Sequence, residues 1–300
     1  MFEIQLMNLG YCPLCHENQR KLLFNIKSSS VYECSVCSLR YIDPCLSPDS
    51  MKIAYESNEN LKCFHDFHEG YYNYGSLTEE SKTLADFRRS LEILERHLSK
   101  ENERTIFDVG FGNGFFLASA KDRGWKVTGI DSSPKNVELA RQKFSLDLSC
   151  SSFEDYSNQG FCYDVVSFWD VVEHLPDPHK FLKKAEHMLK PNGFILIGVP
   201  NDRSMLRVIS SFLYSVSLGR LKKGVETAYF LEHVAYYNLT TLKNLLDRVG
   251  FVLRDYFLTS TDLNKYSFSK FDRMIASTIL FFGTLSGLQN RLIAIFQKRQ

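Results

Sequence analysis

Asp108, the glycines at 110, 112 and 114, and Asp131 are the residues of this 300-residue chain whose types and spacing most directly imply chemistry. They fall in Ile106-Phe107-Asp108-Val109-Gly110-Phe111-Gly112-Asn113-Gly114-Phe115-Phe116, followed by Val127-Thr128-Gly129-Ile130-Asp131. The order reads as strand, glycine-rich turn, helix, strand and terminal acid. Glycines let a turn adopt positive φ and let a ligand approach the backbone closely. An acid closing the second strand can accept hydrogen bonds from both hydroxyls of a ribose. These elements therefore predict half of a nucleotide-binding α/β unit.

The spacing discriminates among nucleotides. A dinucleotide fingerprint has G-x-G-x-x-G, its last glycine admitting close helix–strand packing around a pyrophosphate. Phe115 occupies that position here, which argues against a nicotinamide oxidoreductase. Asp108, at the end of the first strand, would repel a phosphate and attract an ammonium. A ribose, an adenine and an amino-acid tail without phosphate describe S-adenosylmethionine.

With these residues the chain resembles the class I S-adenosylmethionine-dependent methyltransferases, whose D-x-G-x-G-x-G pattern matches Asp108, Gly110, Gly112 and Gly114, with Asp131 as the ribose acid. Ser152-Phe153-Glu154 resembles the adenine-bordering loop after the third strand. Tyr163 to Pro178, ending Glu173-His174-Leu175-Pro176-Asp177-Pro178, resembles the fourth strand and the following helix start. Leu189-Lys190-Pro191-Asn192-Gly193, leading into Phe194 to Val199, is similar to the turn and fifth strand. The resemblance implies a Rossmann-like α/β fold with a seven-stranded sheet whose last strand is antiparallel. It extends the implied cofactor contacts to Ser132, Ser152, Phe153 and Trp169, and to Tyr72 and Tyr74 in an aromatic segment preceding the domain. Glu232-His233, followed by a helix over 240–249, resembles the substrate-side loop, so His233 is expected to face the site.

Methyl transfer from a sulfonium chiefly requires an acceptor lone pair held in line with carbon and sulfur. A hydroxyl acceptor also needs a base, and His174, directly after the fourth strand, is the first candidate, with His233 the second. The lipid-quinone O-methyltransferases carry E-x-x-E-H here, an acid–histidine set associated with a divalent ion. This chain has Asp170, Glu173 and His174, so a Mg2+ site polarising a phenolic hydroxyl is an alternative in which one acid is shorter.

Cys12-Pro13-Leu14-Cys15 and Cys34-Ser35-Val36-Cys37 form two C-x-x-C pairs separated by eighteen residues, the spacing of a zinc ribbon. Two knuckles complete a closed structural Zn2+ site of four thiolates, with disulfides as the alternative. Cys45, Cys63, Cys150 and Cys162 fall outside the pattern and read as ordinary buried or half-buried thiols.

The positioning elements divide the chain into a zinc-ribbon-like module over 1–47, a helical lid or linker over 48–103, and a methyltransferase domain over 104–300 with insertions at about 204–224 and 260–288. Leu84, Phe87, Leu91, Leu94 and Leu98 follow a helical core stripe. Met205, Val208, Ile209, Phe212, Leu213 and Val216 make one apolar helix face, expected to shape the acceptor pocket. The basic run after it admits a membrane-surface helix instead. Met274 to Asn290 carries no charge and is expected to be a buried or interfacial helix, being shorter than a bilayer span of about 20 residues. Phe251–Phe257 and Arg291–Phe296 read as the sixth and seventh strands.

A formal charge of +1 from 36 basic and 35 acidic residues advertises no polyanionic partner, so nucleic acid is not expected. Met1 to Gly10 does not read as a secretory signal, which makes a cytoplasmic location, with membrane association as a variant, the default. The acceptor is expected to be a small molecule, sugar or natural product. A membrane-associated enzyme acting on a lipid or quinone-like hydroxyl is the alternative. A ribbon-bearing binding protein with a decayed cofactor domain is disfavoured by the presence of Asp108, the glycines and Asp131.

Overall fold

The computed structural model describes residues 5–26, 28–56, 81–99, 103–146, 148–158, 160–263 and 269–300. Tyr72, Tyr74 and Cys63 lie outside the described residues. Seven strands form the main sheet: β6 (Thr105–Val109), β7 (Lys126–Asp131), β8 (Ser149–Cys150), β9 (Tyr163–Trp169), β10 (Leu189–Pro200), β12 (Phe251–Thr259) and β13 (Arg291–Lys298). Their order is β12-β13-β10-β9-β6-β7-β8. Strand β13 runs antiparallel to both of its neighbours, while the pairs from β10 to β8 are parallel. The seventh strand is therefore inserted between the fifth and sixth, as the expected antiparallel element.

The strands at the sheet centre are buried on both faces, and their near-continuous apolar sequences reflect that. On one face lies helix α2 (Lys82–His97), whose buried Leu84, Phe87, Leu91 and Leu94 confirm the core stripe. Helix α3 (Phe115–Asp122) follows the glycine turn, and α4 (Pro134–Phe144) begins at Ser133, whose hydroxyl accepts from Asn136 N. In α5 (Pro178–His187), Asp177 caps the helix by accepting from Lys180 N, with Pro178 in the first turn. The Pro-Asp-Pro sequence is thus also a helix start signal.

The cysteine-rich segment shares both a sheet and a hydrophobic cluster with the rest of the chain. Its strands β2 (Arg20–Ile26), β3 (Ser29–Cys34) and β4 (Arg40–Asp43) form a sheet completed by β11 (Ala235–Tyr236), a strand from the far end of the chain. Leu14, Phe24 and Val31 belong to one hydrophobic cluster with Phe107, Phe168 and Leu242. Strands β1 (Leu6–Met7) and β5 (Cys45–Leu46) pair beside it, and α1 (Pro48–Glu56) follows.

The two insertions differ from expectation. Helix α6 (Met205–Val216) buries Arg207 and Ser210 and exposes Val208, Phe212, Leu213 and Val216. Its apolar face points outward, away from the pocket it was expected to line. Helix α9 (Lys270–Leu285) is exposed along most of its length, with only Gly283 buried, so the buried alternative for this segment is wrong. A Cβ on Gly283 would lie 3.0 Å from Leu288 O and 3.3 Å from the Met205 side chain, which is how α9 packs beside α6. Among the described residues no helix is long and apolar enough to cross a membrane. The thiols of Cys150 and Cys162 are exposed, not buried.

Candidate functional site

The glycine turn sits between the ends of β6 and β7. Gly110, Gly112 and Gly114 all have positive φ, at 69°, 55° and 78°. A Cβ on Gly110 would meet Val171 at 2.9 Å, whereas one on Gly112 would meet nothing within 4 Å. Gly110 is therefore required by packing as well as conformation, and Gly112 leaves a bare backbone facing the cavity. Phe115 packs edge-on against Phe144 at 4.9 Å, filling the space a dinucleotide turn keeps small.

Asp108 is buried; its Oδ1 accepts from Ser167 Oγ at 2.6 Å, and its Oδ2 has no partner among the described residues. Burial, with Asp131 adding repulsion, pushes its carboxyl up to about 8. An orphaned buried carboxylate oxygen fits an incoming ammonium. Asp131 accepts from Gly112 N at 2.8 Å, Ser133 N at 2.9 Å and Asn136 Nδ2 at 3.1 Å. Three of a carboxylate's roughly four acceptor positions are thus occupied by the protein, leaving about one on Oδ2 for a ligand hydroxyl. Burial raises the Asp131 carboxyl and these three donors lower it.

A cavity of about 960 Å³ runs from this turn to α6 and α9. Asp131, Ser132, Ser152, Phe153 and Trp169 line it, together with His174 and His233. Ser152 Oγ is engaged in a local turn with Asp155 at 2.7 Å. Trp169 packs edge-on against Phe87 and at a tilt against Phe116, with ring centroids 4.7 and 5.2 Å apart. Its ring lies so close to β10 that a Cβ at Gly198 would come within 2.5 Å of it.

His174 and His233 come together edge-on, with ring centroids 4.7 Å apart. His174 lies in the 3-10 turn Val172–His174 after β9, and its Nδ1 is 2.7 Å from Glu232 O. A carbonyl can only accept, so Nδ1 carries the proton and Nε2 the lone pair. Burial lowers the His174 pKa below the ordinary imidazole value, partly offset by Glu232 and Asp170. A neutral imidazole with a fixed tautomer can act as a base.

Glu173, His174 and His233 offer ligand atoms within 4.8 Å of one another. Asp170 is not part of this group, because it pairs with Arg291 at 2.9 Å. Two imidazoles and one carboxylate do not suit Mg2+, which favours oxygen ligands, so the expected Asp170–Glu173–His174 magnesium set is not formed. Both Glu173 oxygens are buried without a partner among the described residues, and burial beside Asp170 pushes its carboxyl well above the ordinary range. It is therefore held toward the neutral acid.

The segment carrying Glu232 and His233 is tied to the cysteine-rich sheet. Ile42 N donates to Val234 O at 2.9 Å, and Ala235 and Tyr236 pair with Tyr41 and Arg40. Arg40 also donates to Tyr229 Oη at 3.0 Å and faces Asp202 at 3.7 Å. Within the knuckles the Sγ atoms of Cys12 and Cys37 are 3.5 Å apart, those of Cys15 and Cys34 3.4 Å, and all four lie within 4.8 Å. A tetrahedral ion with Zn–S of about 2.3 Å needs sulfurs about 3.8 Å apart, close to this spacing. Burial and hydrogen bonding to neighbouring thiols push Cys15 up to about 11.

Residues reached by no sequence argument include Asn136, which holds Asp131, and Arg207 and Arg291, which line the cavity. Only Asn136 left a signal, as part of the helix start after β7.

A family model described as a methyltransferase domain matches residues 82–256. A ubiquinone biosynthesis O-methyltransferase of Chromobacterium violaceum is 28% identical over 149 residues, covering 47% of this chain and 64% of that protein. The chain thus spans slightly less than two thirds of that relative. A Rickettsia typhi protein of the same description is 26% identical over 199 residues, covering 63% of this chain and 80% of its own. Among solved structures, the plantazolicin methyltransferase BpumL in complex with SAH aligns with a TM-score of 0.54 at 17% identity, covering 84% of this chain and 95% of that one. At that identity the likeness speaks for the fold.

Proposed function

We propose, for a chain that belongs to the methyltransferase domain family and has the class I S-adenosylmethionine-dependent fold, transfer of a methyl group to a hydroxyl of a small-molecule acceptor. The observation that carries this reading is one cavity joining Gly112 and Asp131 at one end to the His174–His233 pair at the other, with Asp108 lining an adjoining pocket that shares Gly110, Gly112 and Trp169 with it. When bound, S-adenosylmethionine supplies an electrophilic methyl on sulfur. Asp108 Oδ2 would hold its ammonium and Asp131 a ribose hydroxyl, and Ser132, Ser152, Phe153 and Trp169 would border the rest. His174 Nε2 takes the proton from the acceptor hydroxyl while Glu232 O keeps Nδ1–H in place. His233 packs against the His174 ring and holds its orientation. The relatives described as O-methyltransferases support oxygen as the acceptor atom. The direct test is transfer of labelled methyl from S-adenosylmethionine into a small-molecule extract. Calorimetry that finds binding of NAD but not of S-adenosylhomocysteine would overturn the reading.

The four cysteines hold one structural Zn2+ in this reading, supported by their spacing and by ligating thiolates losing their protons to the ion. A peripheral membrane contact is supported by the exposed apolar faces of α6 and α9, where Phe212, Phe271 and Phe281 are 60–65% exposed. Arg220, Lys222, Lys223 and Lys270 are exposed as well and would complement anionic lipid. Co-sedimentation with phosphatidylglycerol-containing vesicles is expected, weakening with salt and with Phe281→Asp. Equal recovery with and without vesicles would rule it out.

A further inference from the structure

Arg207 is 5% exposed and lies on the inward face of α6. Its Nε donates to Ala228 O at 3.1 Å, and its guanidinium stacks over the Tyr236 ring at 4.6 Å and more distantly over Tyr229 at 5.3 Å. Nη1 is buried with no acceptor among the described residues. Asp202 and Glu173 lie within electrostatic reach of Arg207 but no hydrogen bond joins either to it among the described residues; Asp202 faces Arg40, and Asp170 pairs with Arg291. A guanidinium has five donors, and only one is used among the described residues.

A buried guanidinium with an unfilled donor is costly, and stability alone gives no reason to keep one. Arg207 lines the same cavity as His174 and His233, and Leu206, Ala276, Ile279 and Leu280 make an apolar wall beside it. The cavity thus offers a base, an apolar wall and a cation whose Nη1 is unfilled among the described residues.

We propose that Arg207 receives a carboxylate of the methyl acceptor, making the acceptor an apolar molecule with a hydroxyl and an acid group. The Nη1/Nη2 side of a guanidinium engages a carboxylate in two parallel hydrogen bonds. The carboxylate would fix the acceptor's orientation, so that its hydroxyl meets His174. The inverted polarity of α6, with Arg207 inward and Phe212 outward, then has a reason: the inward face serves a ligand, not the core. This inference rests on the methyltransferase reading and adds the charge of the substrate to it.

The test uses the full chain and methyl-labelled S-adenosylmethionine with a small-molecule extract. The labelled product is expected to bind an anion exchanger at pH 7 and to pass through it once carboxyl groups are esterified. Arg207→Gln should lower transfer at least tenfold at limiting extract, and Arg207→Lys should restore part of it. Affinity for S-adenosylhomocysteine should hold in both variants, because Arg207 touches neither Asp108 nor Asp131, and this separates a lost acceptor contact from general unfolding. A neutral labelled product overturns the inference while leaving methyl transfer intact. So does an Arg207→Gln chain that transfers methyl as the parent does. If S-adenosylhomocysteine binds but no product is labelled in any extract fraction, the methyltransferase reading falls and this inference with it.

Discussion

Cofactor affinity should depend on pH through Asp108, and the size of the effect can be worked out. Burial raises this carboxyl to about 8, so at neutral pH the ligand-free chain carries mostly the protonated acid. An ammonium docking at the unpartnered Oδ2 requires the carboxylate. Binding therefore releases a proton below pH 8, and apparent affinity rises with pH until Asp108 is ionised. With a free-state value of about 8 and a bound value well below 6, the dissociation constant should be about 50-fold larger at pH 6 than at pH 8, or about 2.3 kcal/mol. The linkage for folding has the opposite sense. A carboxyl raised in the folded state binds more protons there than in the unfolded chain, so its contribution to stability declines as pH rises from about 4 to 8. The assay is calorimetry with S-adenosylhomocysteine at pH 6, 7 and 8, in buffers of different ionisation enthalpy to count the proton released. Asp108→Asn keeps an acceptor for Ser167 but removes the charge, so it should flatten the pH dependence and weaken binding at pH 8 by about 1.5–3 kcal/mol, the worth of a hydrogen bond to a charged group. A wild-type affinity constant across this range, or an unchanged slope in Asp108→Asn, would refute the assignment of the ammonium to Oδ2.

Asp131→Ala should abolish measurable cofactor binding, because it removes the ribose acceptor and also releases Gly112, Ser133 and Asn136 from their shared anchor; retention of near-parental affinity by calorimetry would contradict this. His174→Ala should leave S-adenosylhomocysteine affinity unchanged and reduce methyl transfer by about 10²–10⁴-fold, the usual weight of a general base. In the parent, the acid limb of the rate should lie below the ordinary histidine value of about 6.5, since burial favours the neutral ring. An unchanged rate in the variant would remove His174 from the mechanism. Elemental analysis should find one zinc per chain, lost when Cys34 and Cys37 are replaced by serine. Hydrogen exchange should then quicken at residues 234–236, which pair with the cysteine-rich sheet, more than at the glycine turn. Folded parent protein free of zinc would exclude the structural ion.

The cofactor half of this site was legible because its determinants are local. Asp108, the three glycines and Asp131 fall within one strand–turn–helix–strand passage, where a few residues of spacing fix which backbone bends and which acid meets it. The cysteine pairs are legible for the same reason, since a C-x-x-C knuckle sets two sulfurs side by side whatever the rest of the chain does. The positions of strands along the chain were accessible through apolar runs, and the antiparallel β13 followed from the family resemblance, whereas the order of strands across the sheet came from the structure. The acceptor half was hidden. Helical periodicity marked α6 as amphipathic but could not say which face turns inward, and the structure turned Arg207 in and Phe212 out. An acid three residues before Glu173 suggested a metal partner, yet a long-range pairing gave Asp170 to Arg291 instead. Nor did any local pattern link the cysteine-rich segment to His233, which requires β11 to cross the molecule and join β4. The sequence by itself determined which candidate cofactor groups lie together, because those residues are neighbours along it. Only the tertiary structure decided which distant groups share the cavity with them, because their meeting depends on how packed elements close around one another and not on spacing along the chain.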